Sequence, residues 1–146
     1  MSANDLRRWL KENSNLIKYS QIAKESGFSR QVMNYWLQGD RRGSSFNPQP
    51  GINTLYTLAG MLSTGKITEA TFNRFKKFIV LSNVAEEFFG CRSSTINVNI
   101  SRHGIVHYHN QIRRLATHIK TITKPVKTCK PSKNKSKKFV FKLKIS

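Results

Sequence analysis

The residues whose types first suggest chemistry are His103, His107, His109 and His118 with Asn110, because metal-dependent nucleases gather histidines and an asparagine around a divalent ion. Their spacing argues against that use. No Asp or Glu follows Glu87 to help hold a hard cation, and the HYHN run at 107–110 lacks a distal histidine at a suitable distance. The four are expected as surface histidines, partly protonated where anions approach. Cys91 and Cys129 match no zinc or redox spacing and read as ordinary reduced thiols. No metal, no cofactor and no enzymatic activity are expected.

Charge points elsewhere. The 146 residues carry 26 Lys plus Arg against 7 Asp plus Glu, a formal charge of +19. Residues 1–87 hold all seven acids with twelve bases, net +5, and residues 88–146 hold fourteen bases and no acid, net +14. Such a field attracts a polyanion, since lysine and arginine release the counterions condensed on phosphate backbones. Nucleic acid is the leading partner and an anionic membrane surface the second. The longest apolar stretch, residues 78–81, is far too short to span a bilayer, and the opening MSANDLRRWLKEN, with Asp5, Arg7 and Arg8, lacks the apolar run of a secretory signal. A cytoplasmic location is expected. A chain this small also has little interior for a catalytic cavity.

These charges need elements to position them. Leu6, Trp9 and Leu10 recur at helical spacing after a capping Asn4, which predicts a helix over 4–13. Further helices are expected over 20–26, ending at Gly27, and from Ser29 to 38, before Gly39. The stretch DRRGSSFNPQPG at 40–51 reads as a long loop. Helices follow from about Asn53 and over 68–80, then 83–89 and 110–122. Between the last two, Ile96, Val98 and Ile100 alternate with polar residues, so a β-hairpin and a recognition-type helix both fit. From Lys124 on, lysine recurs every two or three residues with two prolines, the composition of a flexible tail, although FVFKLKIS at its end has strand alternation.

Residues 19–39, YSQIAKESGFSRQVMNYWLQG, have the order a helix-turn-helix requires. Ile22 and Ala23 face inward on the first helix, Gly27 turns the chain, Phe28 plugs the turn, and Met33 and Trp36 face inward on the second. Ala23 is small where the helices approach, and Gly27 is free to be left-handed. This segment, with Gly39-Asp40-Arg41 and the later NTLYTLA at 53–59, resembles the DNA-binding domain of the Cro and phage-repressor family over about residues 4–80. The resemblance implies that the exposed start of the second helix enters the major groove, placing Arg30, Gln31, Asn34 and Tyr35 on base edges. It also implies phosphate contacts from Lys18, Tyr19 and Ser20 and from Arg41 and Arg42. Three departures stand out: Tyr19 where the family usually has glutamine, Ser26 at a commonly apolar position, and a longer link before the fourth helix.

A weaker echo lies 63 residues on, with Ala85, Phe89, Gly90, Cys91 and Ile96 in corresponding register. Glu86 at the small position and Asn99 at an apolar one count against it. If it is a second helix-turn-helix, Arg92, Ser93, Ser94 and Asn97 face DNA; if not, residues 95–109 form a basic wing. The expected architecture is mainly α. A five-helix Cro-like domain (1–80) precedes a small α or α+β module (81–123) and a lysine-rich tail (124–146). The expected function is a sequence-specific, nucleoid-associated transcriptional repressor on double-stranded DNA, in the host cytoplasm if phage-encoded. Homodimers are expected, unless two motifs in one chain substitute for them. The alternative is a nonspecific architectural protein on DNA or RNA, or an inhibitor that occupies another factor's site.

Overall fold

Caps and glycines cut the apolar runs of this chain into short helices. The computed structural model describes residues 3–127, the last three by backbone alone. Its order is α1 (Ala3–Glu12), α2 (Tyr19–Glu25), α3 (Arg30–Leu37), a 3-10 turn (Arg41–Gly43), α4 (Gln49–Ser63), α5 (Glu69–Lys76), α6 (Leu81–Phe89), α7 (Ser93–His103), a second 3-10 turn (Ile105–Tyr108) and α8 (His109–Lys127). The protein is mainly α, as its apolar spacing predicts. Ser29 caps α3 by accepting a hydrogen bond from the Val32 amide, and Thr68 caps α5 by accepting from the Thr71 amide. Gly27 and Gly90, at φ +83° and +71°, turn the chain in the left-handed region that other residues avoid.

Several boundaries differ from the sequence expectation. Helix α4 begins at Gln49 rather than Asn53, because the Asn47 side chain accepts from the Gln49 amide at 3.0 Å and Pro50 sits in the first turn, where no amide hydrogen is needed. The long loop shrinks accordingly and holds the turn Arg41–Gly43. Helix α5 stops at Lys76, freeing Ile79 to form an isolated antiparallel β-bridge with Ile17, and α6 then starts at Leu81.

The β-hairpin wing is overturned. Residues 93–103 are helical and no strand occurs among the described residues. The physical reason is which residues the core takes: Ile96 and Ile100, four apart, are buried, whereas Val98 between them is 48% exposed. A strand would have put all three on one face. Helix α8 also runs past residue 122 to Lys127, so the expected tail loses its first residues to a helix; the rest of it, with Cys129 and FVFKLKIS, lies outside the described residues.

Among the described residues one apolar core runs from Leu10 to Ile119. Its centre is the pair α4 and α8, the most extensive helix contact, where Ile52, Leu55 and Ala59 of one and Ile112, Leu115 and Ile119 of the other are all fully buried. Burial of each such aliphatic side chain stabilises the fold by about 1.5–3 kcal/mol. Helix α1 closes the assembly through two side chains: the Trp9 indole donates to the Ile122 carbonyl at 3.1 Å and the Arg7 guanidinium to the Trp36 carbonyl at 2.6 Å.

Candidate nucleic-acid interface

The first two-helix unit is held from beneath. Ile22 and Ala23 of α2 and Met33, Trp36 and Leu37 of α3 are buried, and Phe28 at the turn packs edge-on against Phe46 with ring centroids 5.1 Å apart. Phe46 also lies 5.1 Å from Trp36, so one ring from the following loop wedges both the turn and the second helix. Ser26, polar where an apolar residue is common in the resembled family, has a local reason: its hydroxyl accepts from the Gly51 amide at 3.0 Å. A Cβ on Gly51 would stand 2.6 Å from the Ile22 carbonyl oxygen, so α4 reaches α2 only because residue 51 has no side chain.

With Met33, Trp36 and Leu37 turned inward, the opposite face of α3 is left to solvent. Arg30, Gln31 and Asn34 are exposed and Tyr35 is half-buried. They pair along the helix: Arg30 donates to the Asn34 side-chain oxygen at 2.9 Å and Gln31 to the Tyr35 hydroxyl at 2.9 Å. Tyr35 does not fold onto Trp36. Its ring lies under Arg42, whose guanidinium carbon is 4.0 Å from the ring centroid, and Arg42 also donates to the Tyr35 hydroxyl at 3.3 Å. Arg30 in turn lies 5.1 Å from the centroid of Tyr19.

Of the residues expected on phosphate, Lys18, Ser20, Arg41 and Arg42 are exposed around this face. Tyr19 is placed differently. Its hydroxyl donates inward to the Leu10 carbonyl at 2.9 Å, and burial raises its pKa while the nearby Arg30 charge works to lower it. Its one O–H donor is thus committed to tying α2 to α1. Asp40 organises the basic turn: its carboxylate accepts from the Arg42 side chain at 2.7 Å and from the Arg42 amide at 2.8 Å, which lowers its pKa to about 2. The acid keeps its charge and fixes Arg42 over Tyr35.

No known family, curated protein or solved structure matches this chain.

The echo in the second half is a real pair of helices about Gly90. Val84, Ala85 and Phe89 of α6 and Ile96 and Ile100 of α7 are buried. The small residue of this pair is Ala85 rather than Glu86, because α6 carries one residue more than α2 between that position and the glycine. Arg92, Ser94 and Asn97 are exposed and Ser93 is half-buried. Asn97 accepts from the Lys76 ammonium at 3.1 Å, whose pKa burial lowers and Glu69 opposes. Lys76 and Val98 escaped the sequence reading as surface groups of this face: the contact of Lys76 with Asn97 joins residues 21 apart, and the exposure of Val98 follows only from the helical register. The histidines are scattered. His103 and His107 stack at 5.0 Å and His118 packs on Phe88 at 5.7 Å, and among the described residues no three His, Cys, Asp or Glu side chains gather as a metal site.

Proposed function

We propose that this protein is a sequence-specific double-stranded DNA-binding regulator that reads the major groove with α3. One observation carries the reading: Arg30, Gln31 and Asn34 are exposed on a helix whose opposite face, Met33, Trp36 and Leu37, is locked in the core. Arginine can grip guanine O6 and N7 with two bonds, and glutamine or asparagine can do the same for adenine N6 and N7. Tyr35, held beneath Arg42, offers its ring edge to a thymine methyl. Lys18, Ser20, Arg41 and Arg42 supply phosphate contacts that fix the register without choosing a sequence. Repression is the mode that needs only occupancy of a site, and it is the one assigned here. The working place is then the nucleoid.

The test is selection of duplexes from a random pool, followed by binding of selected and scrambled duplexes at two ionic strengths. A preference for the selected duplex that survives higher salt supports the reading; equal loss on both shows a nonspecific architectural protein. Arg30→Ala with Gln31→Ala is expected to remove the preference at the base pairs that α3 reads and leave binding to scrambled duplex in place, at about 1–3 kcal/mol for each base recognition removed. Unchanged sequence choice in that variant overturns the assignment.

A further inference from the structure

Among the described residues the eight α-helices repeat as four and four. Helices α1 to α4, with their 3-10 turn after α3, are followed by α5 to α8, with a 3-10 turn after α7. Corresponding residues do the same work in each half. Leu10 of α1 and Phe72 of α5, 62 positions apart, are both fully buried. Phe46 packs on the turn residue Phe28, and Tyr108, 62 positions after Phe46, packs with its hydroxyl 3.6 Å from the sulfur of the turn residue Cys91, which lies 63 after Phe28 because α6 carries one residue more before its glycine. The central helices begin in step, so that Ile52 and Leu55 of α4 answer Ile112 and Leu115 of α8. The boundary between the halves falls near Gly65, earlier than the residue 80 read from the sequence.

The two halves also meet symmetrically. The Lys18 amide donates to the Phe78 carbonyl and the Val80 amide to the Leu16 carbonyl, each at 2.8 Å. Under the 62-residue correspondence, residue 16 maps to 78 and 18 to 80, so each of these bonds is the image of the other. The antiparallel bridge of Ile17 with Ile79, a residue and its own counterpart, therefore lies on a pseudo-twofold axis. The pairing of α4 with α8 is likewise an element packed on its counterpart, the arrangement of an isologous dimer interface built inside one chain.

We infer that the chain is a covalent pseudo-dimer in which α7 is a second reading helix, so that one molecule binds one duplex across two unlike half-sites. The inference rests on the proposed reading by α3. Ser29, at the cap of α3, corresponds to Arg92 at the cap of α7, and Asn34 corresponds to the exposed Asn97. Arg30, Gln31 and Tyr35 correspond to Ser93, Ser94 and Val98. The second face thus keeps one adenine-reading carboxamide and trades arginine for small hydroxyls and an exposed apolar side chain suited to a thymine methyl. A homodimer must read two copies of one half-site. This chain is built to read an asymmetric site, richer in A·T on the α7 side.

The experiment uses the full chain and the duplex recovered by selection. The mass of the complex is measured by sedimentation equilibrium, and base preference is mapped for Asn34→Ala, for Asn97→Ala and for Val98→Ala, all surface changes whose folding is checked by circular dichroism. The expected result is one chain per duplex and a site of two different halves about one helical turn apart. Asn34→Ala then relaxes one half and Asn97→Ala the other, each weakening binding by about 5- to 150-fold. Two chains on a palindromic site, or α7 variants that keep the parent's affinity and preference while Asn34→Ala does not, overturns the inference and spares the reading by α3. Equal affinity for selected and scrambled duplexes in parent and variants overturns both.

Discussion

Gly43→Ala tests how the basic turn is held against α3. A Cβ at this buried position would stand 2.7 Å from Trp36 Cα and 2.8 Å from the Val32 carbonyl oxygen, with the Trp36 amide nitrogen closer still. All three atoms belong to the backbone of α3, whose side chains Met33, Trp36 and Leu37 are fixed in the core, so the helix has no room to yield. The turn must retreat until these contacts reach the 3.4 Å of ordinary van der Waals separation. Overpacking of this kind costs about 1–3 kcal/mol. Gly60, also on a helix, has nothing within 4 Å of the place a Cβ would take, so Gly60→Ala is the matched control and is expected to stabilise by up to about 1 kcal/mol. Urea unfolding reads both changes as shifts of midpoint at constant slope. The displacement should also be specific. Arg42 and Tyr35 belong to different elements, so their 4.0 Å stacking is broken and the Tyr35 ring resonances move, whereas Asp40 and Arg42 travel together within the turn and the Asp40 carboxyl still titrates at about 2. A Gly43→Ala protein as stable as the parent, with unshifted Tyr35 resonances, would refute the packing argument.

Two other perturbations probe the charges. The hydrogen bonds from Arg42 lower the Asp40 pKa from 3.8 to about 2, so the stability this pair contributes is full above about pH 4 and is lost as pH falls through about 2. In Arg42→Ala the carboxyl midpoint, followed by NMR, moves up toward 3.8 and the acid-side loss shrinks to the part held by the residue-42 amide; a midpoint that stays near 2 removes the Arg42 side chain as the main cause. Deleting residues 128–146 removes seven lysines and is expected to weaken binding to selected and scrambled duplexes alike, flattening the salt dependence by about 0.9 in log–log slope for each phosphate no longer neutralised. A change in the ratio between the two duplexes would show that the segment helps choose sequence.

The first two-helix unit was legible because several local signals agree there. Ser29 is a cap, Gly27 a left-handed turn, and Met33 with Trp36 an inward pair at one helical spacing, so the outward face of α3 follows by subtraction. The second unit offered signals that disagree. Ile96, Val98 and Ile100 satisfy a two-residue period, Ile96 and Ile100 alone satisfy a helical one, and the Ser, Thr, Asn and Val around them are indifferent helix formers. What decides between them is whether Val98 joins Ile96 and Ile100 in the core; it does not, and α7 packs instead on α6 and on the 3-10 turn that carries Tyr108. The close approaches at Gly43 and Gly51 were hidden for a related reason: glycine among serine and proline has the composition of a loop, and nothing local distinguishes one that turns from one that touches another backbone.

That difference bears on function. An outward face is the complement of a buried one, so an error of register in α7 would have moved Val98 into the core and Asn97 off the reading position together. The helical register instead puts Asn97 on the surface in the place that Asn34 takes in α3, while Val98 stands where Tyr35 does. An apolar side chain left 48% exposed on an otherwise polar helix face costs little in water and gains a partner only where another apolar group is presented to it. In a major groove that group is the thymine methyl, and Val98→Ala should therefore reduce discrimination for thymine in the second half-site without altering affinity for a scrambled duplex. Loss of affinity for both duplexes to the same degree would assign Val98 to the packing of α7 rather than to readout.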